Sequence, residues 1–125
     1  FAHHIPCRTL TEVLTSGGHP PVSAICNTLK ALLSAGFCHR DLTPENLLVN
    51  PSGAVYLLDA EDIIPRTPGA FLQMLLRLGR ALAKRGLLTE DVFEALQELA
   101  SFSGTPGRTF RRKLKKHLFL HSFCW

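Results

Sequence analysis

Apolar residues recur at helical spacing over most of the chain and gather into two short unbroken runs near its middle. Thr9 to Thr15 reads as a short amphipathic turn or helix closed by Gly17-Gly18. Pro20-Pro21 opens a second helix, because proline fits a first turn that needs no amide donors. Val22, Ile25, Leu29, Leu32 and Leu33 then give that helix one buried face. Gly36 suits the left-handed residue that ends it. The two runs are Leu47-Leu48-Val49 and Ala54-Val55-Tyr56-Leu57-Leu58. Between them Asn50-Pro51-Ser52-Gly53 has the order of a type I turn, which predicts a short β-hairpin.

Thr67-Pro68 is cap and first turn of a helix running to about Lys84, with Phe71, Leu72, Leu75, Leu78 and Leu82 as its core face. Gly86 ends it. Thr89 caps the next helix, whose first turn carries Glu90 and Asp91 and whose buried face is Val92, Phe93, Leu96 and Leu99. A last helix starts near Thr105-Pro106 and spans about residues 105–121. The expectation is an α+β fold, mainly α-helical, with no internal repeat.

Composition narrows the class. At 125 residues, 46% apolar and 19% charged, the chain suits one domain with one core and is neither disordered nor collagen-like. No apolar run reaches the roughly 18 residues of a membrane span, and the N-terminus lacks the basic start and small-residue cleavage site of a signal peptide. A cytoplasmic protein is expected. The chain opens on Phe1 rather than Met, so the natural chain is expected to begin earlier. Cys7, Cys26, Cys38 and Cys124 form no C-x-x-C pair and read as free thiols. His3, His4 and Cys7 raise a metal site, but no fourth ligand lies nearby, and an exposed edge is the preferred reading. The net charge of +4 is uneven: Arg108, Arg111, Arg112, Lys113, Lys115 and Lys116 hold six of the 14 cations, and no acid follows Glu98.

The candidate chemistry lies between the second helix and the hairpin, in His39-Arg40-Asp41-Leu42-Thr43-Pro44-Glu45-Asn46, and just after the hairpin, in Asp59-Ala60-Glu61-Asp62. Read alone, Asp41 and Asn46 are residue types common in turns. As an ordered set, the segment resembles the protein-kinase-like superfamily, whose catalytic loop is H-R-D-L-x-x-x-N and whose metal-binding Asp follows a hairpin. The resemblance implies ATP and Mg²⁺ as cofactors and a kinase C-terminal lobe for the fold. It implies that Asp41 accepts or orients the proton of the attacking hydroxyl, and that Asn46 and Asp59 hold Mg²⁺, a cation that prefers oxygen ligands. His39 and Arg40 become supporting loop residues, the His packing and bonding beneath the loop.

The departures narrow the resemblance. Thr43 stands where the common Ser/Thr kinases carry a Lys, and the D-F-G triplet is Asp59-Ala60-Glu61. Only a short link separates Asp59 from the helix at Pro68, and no A-P-E appears. A full activation segment does not fit there. The chain is in these respects similar to the lipopolysaccharide kinase family, which phosphorylates Kdo or heptose sugars, and to RIO-type and related atypical kinases. The implied acceptor is a hydroxyl of a small molecule or glycolipid sugar. The chain carries no Gly-rich phosphate loop and no strand Lys, so residues 1–125 read as a C-terminal lobe whose N-terminal lobe is absent, expected to bind nucleotide poorly alone. A pseudokinase or truncated remnant acting as a binding module is the alternative; a protein Ser/Thr kinase ranks below both.

The basic stretch is amphipathic, with Phe110, Leu114 and Leu118 on one stripe. Residues 108–120 could contact an anionic membrane at its inner face. The preferred reading is a final lobe helix with its stripe in the core. Nucleic acid is disfavoured, since no recognised binding module accompanies the run. Phe123 and Trp125 are either core plugs or interfacial anchors.

Overall fold

The computed structural model describes residues 7–121. The fold is α+β and mainly helical. His3, His4, Phe123, Cys124 and Trp125 lie outside the described residues, as does the side chain of Leu118, so the expectations placed on them stay expectations.

Strand β1, Arg8–Thr9, runs into helix α1, Leu10–Thr15. Thr9 closes a reciprocal capping box: its hydroxyl accepts from the Glu12 amide at 3.1 Å while its own amide donates to Glu12 Oε1 at 2.8 Å. Helix α2, Val22–Ser34, ends as expected at Gly36, whose φ of +91° is open to glycine at no steric cost. The hairpin consists of β3, Leu47–Val49, and β4, Val55–Leu57, with Leu48 opposite Tyr56. Asn50 Oδ1 organises its turn, accepting from the amides of Ser52 and Ala54. β1 adds to this hairpin as a third antiparallel strand.

A second, two-stranded sheet was not expected. β2, Phe37–His39, pairs antiparallel with β5, Ile63–Pro65, setting Cys38 opposite Ile64 and His39 opposite Ile63. Helix α3, Pro68–Lys84, follows immediately. It is more than amphipathic: besides Phe71, Leu75, Leu78 and Leu82, Met74 and Leu76 are also fully enclosed, and Leu72 is only partly buried. Helices α4, Glu90–Phe102, and α5, Gly107–His121, pack on it and on each other, and α4 also packs on α2. Thr89 caps α4 through the Val92 amide. Phe93, expected inside, is partly buried against the ring of Phe110 and beneath the Arg111 guanidinium.

Phe110 and Leu114 have no exposed surface. The described part of the α5 stripe, Phe110 and Leu114, is therefore in the core, while Arg108, Arg111, Arg112, Lys113, Lys115 and Lys116 face water. Gly79 lies against this helix: a Cβ there would stand 3.2 Å from a Leu114 methyl, a tight contact. No helix among the described residues is long and apolar enough to cross a membrane.

Candidate active site

The loop of residues 39–46 is held from below by α3 and from one side by the segment that follows β4. His39 has no exposed surface. Its ring joins two chain segments, with Nδ1 accepting from the Asp41 amide at 3.1 Å and Nε2 standing 2.9 Å from the Leu58 carbonyl. Since an amide can only donate, Nδ1 carries the lone pair and Nε2 carries the proton. The His39 amide points down to the Met74 sulfur of α3 at 3.3 Å. Leu42 and Leu47, both fully buried, anchor the loop's two ends in the core.

Arg40 clamps the loop to the far segment twice. Its amide donates to the Asp62 carbonyl, and its Nε donates to Asp62 Oδ1, both at 2.9 Å. Asn46 closes the loop on itself, its Nδ2 donating to the Asp41 carbonyl at 2.8 Å. Its backbone carbonyl accepts from the Leu58 amide at 2.9 Å. That bond pins Leu58, the residue before Asp59, to Asn46. The loop residues and the post-hairpin Asp, 13 positions apart, are thus brought together by β3–β4 pairing and the His39 bridge.

Asp59 is the one non-glycine with positive φ among the described residues, at φ 61° and ψ 67°. Its carbonyl receives the Asp62 amide, closing a single 3₁₀ turn over Ala60–Asp62. Its side chain makes no capping bond and is exposed. A left-handed aspartate costs conformational energy, and residues held this way gather at functional sites. Asp41 is also open to solvent, with Arg77 of α3 3.6 Å from its Oδ1.

Two braces had no counterpart in the sequence reading. Asp62 is the partner of Arg40. Glu45 joins three elements: Thr11 of α1 donates to Oε2 at 2.6 Å, and Arg85, just past α3, donates to Oε1 at 2.9 Å. Burial alone would raise the Glu45 carboxyl; the Thr11 bond and the Arg85 charge outweigh it and hold the group below the ordinary Glu range. A signal for Asp62 was present in Ile63-Ile64-Pro65, an apolar run able to pair with Phe37-Cys38. Nothing local pointed to Glu45.

Comparison with known proteins reaches the same class. The chain is 37% identical over 59 residues to a protein named "Probable serine/threonine-protein kinase PknB" from Corynebacterium glutamicum. The relationship is protein-kinase-like. The match takes in 42% of this chain and spans only 9% of that kinase's length. No protein-family model matches the chain.

The donors fit magnesium's chemistry. Asp59 offers a carboxylate, and Asn46 has its amide oxygen left after Nδ2 is used in the loop. Among the described residues no three His, Cys, Asp or Glu side chains cluster as a metal cage. A hard cation that keeps waters and shares phosphate oxygens needs only one or two protein ligands. Asp41 and Asp59 are exposed and Asn46 is half-buried; two grooves, of about 520 and 440 Å³, lie elsewhere, at the hairpin turn and between α2 and α4.

Proposed function

We propose that this chain is the C-terminal lobe of a kinase-like phosphotransferase that moves the terminal phosphoryl group of Mg·ATP to an alcohol hydroxyl. The observation that carries the reading is the clamped loop, in which the His39 bridge and the Arg40–Asp62 pair fix the backbone while Asp41 and Asp59 stay exposed and Asn46 is half-buried. In this reading Asp41 takes up the proton of the acceptor hydroxyl as it attacks. Asn46 and Asp59 hold the magnesium, which when bound neutralises charge on the phosphates.

An exposed site is poorly suited to charge chemistry, because water weakens each electrostatic contact. A covering lobe answers this, and Tyr56 and Leu58, exposed on the hairpin face beside Asp59, offer it an apolar seat. The acceptor is a small molecule or a lipopolysaccharide core sugar. What supports this over a peptide is the short stretch from Asp59 to α3, taken up by the 3₁₀ turn and β5, and Thr43 in place of a loop Lys. The exposed cations of α5 suit work at an anionic membrane surface, although Phe110 and Leu114 of its stripe are engaged inside.

The test is phosphoryl transfer from labelled Mg·ATP by the chain together with its covering lobe, to sugar, glycolipid and peptide acceptors in parallel. Asp41→Ala should abolish transfer and leave nucleotide binding nearly intact. Undiminished transfer by that variant removes Asp41 as the base. Nucleotide-dependent rise in melting temperature without any transfer moves the protein to the alternative reading, a pseudokinase that acts as a binding module.

A further inference from the structure

We infer that Arg77 of α3 is a phosphoryl-binding residue, supplying beside Asp41 the cation that residue 43 does not. This rests on the kinase-like reading and names a further group in the same site. Among the described residues three ion pairs surround the loop, and they differ in kind. Arg40–Asp62 and Arg85–Glu45 are closed at 2.9 Å, and each ties the loop to another element. Arg77 Nη1 stands 3.6 Å from Asp41 Oδ1, beyond hydrogen-bond length, with 45% and 56% of the two side chains exposed.

An exposed pair of that length adds little to stability. Its place is unusual for another reason. Arg77 emerges from α3 one turn beyond Met74, the residue under His39, and so beside the carboxylate proposed as the base. Transfer requires a base at the incoming hydroxyl and positive charge at the phosphoryl oxygens, a few ångströms apart. The Asp41–Arg77 pair presents both on one rim. A guanidinium has five donors in a planar fork that matches two phosphate oxygens, and a loose carboxylate contact leaves the fork available. In the step, the acceptor oxygen forms a bond to the terminal phosphorus as the bond to the leaving diphosphate oxygen breaks. The hydroxyl proton passes to Asp41, and Arg77 stays protonated, donating to the oxygens of the group in flight.

The ligand class is a terminal dianionic phosphoryl group, whether on nucleotide or on product. The test needs no turnover: inorganic phosphate is titrated into the full chain and followed at the arginine Nε–H signals by NMR and by calorimetry. The Arg77 signal should shift saturably. Asp41→Asn should tighten phosphate by roughly fivefold, the worth of one unit charge a few ångströms away in water. Arg77→Gln should lose the binding, Arg77→Lys should keep part of it, and neither should move the melting temperature. Titrations with Mg·ATP and Mg·ADP then separate the sources, since only a nucleotide with a third phosphate should reach Arg77. An unmoved Arg77 signal, or phosphate affinity unchanged in Arg77→Gln, overturns the inference whatever the transfer assay shows. A responsive Arg77 in a protein that transfers nothing keeps the anion site and sinks the kinase reading instead.

Discussion

The His39 bridge is the element on which the geometry of the site depends, and its contribution can be worked from the two bonds it makes. In His39→Phe a ring of similar size keeps the packing of a side chain with no exposed surface, while the Asp41 amide and the Leu58 carbonyl both lose their partner. A net hydrogen bond is worth about 1 kcal/mol, and leaving its partners without one adds a further fraction where water is excluded. Both partners lie in part-buried surroundings, so water recovers some of the loss, and the sum is about 2–3 kcal/mol. For a chain of this size that lowers Tm by roughly 8–12 °C.

His39→Asn separates the two bonds. An asparagine oxygen accepts readily from the amide two residues on, the geometry of an Asx turn. It should therefore restore the Asp41 contact and lose the one to Leu58. Urea unfolding gives the stability, and hydrogen exchange at the Asp41 amide reports the loop. Exchange should accelerate in His39→Phe and be largely protected again in His39→Asn, with both proteins destabilised. A His39→Phe protein within 0.5 kcal/mol of the parent, a margin ordinary for surface substitutions, would refute the bridge as the loop's anchor. So would equal protection of that amide in the two variants.

Asp59→Gly should leave stability unchanged or slightly higher by removing the left-handed strain, whereas Asp59→Val should cost about 1–2 kcal/mol; thermal unfolding of the pair checks it. Because the Glu45 carboxyl is held below its ordinary range in the folded chain, its contribution to stability is fully present above the unfolded value of about 4.3 and is lost as pH falls toward the folded one. Glu45→Gln should flatten the acid limb of a stability–pH curve, and a curve unchanged in that window refutes the brace. Burial pushes the Cys26 and Cys38 thiols up, so alkylation at pH 8 with mass mapping should find exposed Cys7 modified first and those two only after denaturant is added. Leu114→Ala empties a position packed against Gly79 and should cost about 2–5 kcal/mol by urea unfolding.

How far the chain could be read from its sequence follows from the range of each interaction. Helices announce themselves within a few residues, through spacing and through caps such as Thr67 and Thr89, and their ends were legible to within a residue or two. The hairpin was legible because Asn50 and Gly53 encode its turn locally. β2 and β5 were not, since each is three residues long, one includes a proline, and neither has a turn joining it to the other. Met74 and Leu76 fell off the expected face of α3 because α4 and α5 cover one side of that helix while β2 and the loop cover the other. For the candidate site, the loop motif singled out Asp41, Asn46 and Asp59 together with His39 and Arg40. The braces escaped because Arg40 finds Asp62 at a separation of 22 residues and Glu45 finds Arg85 at 40, and no periodicity links charges so far apart.

The groups around the loop divide by what they do for the fold. His39, Met74, Glu45 and Asp62 face inward or close tight bonds, and removing any of them should loosen the loop. Asp41, Asp59 and Arg77 contribute little or, in the strained Asp59, a cost. These are the aspartate at φ 61° and the carboxylate and guanidinium set apart at 3.6 Å. In the proposed reading the strain and the loosely paired charge await a ligand, which would complete the contacts that the protein leaves open. Substitutions at the braces and at the rim should therefore sort, the former moving stability and binding together and Asp41 and Arg77 moving binding alone, while at Asp59 the left-handed backbone adds a stability effect that depends on the residue put in.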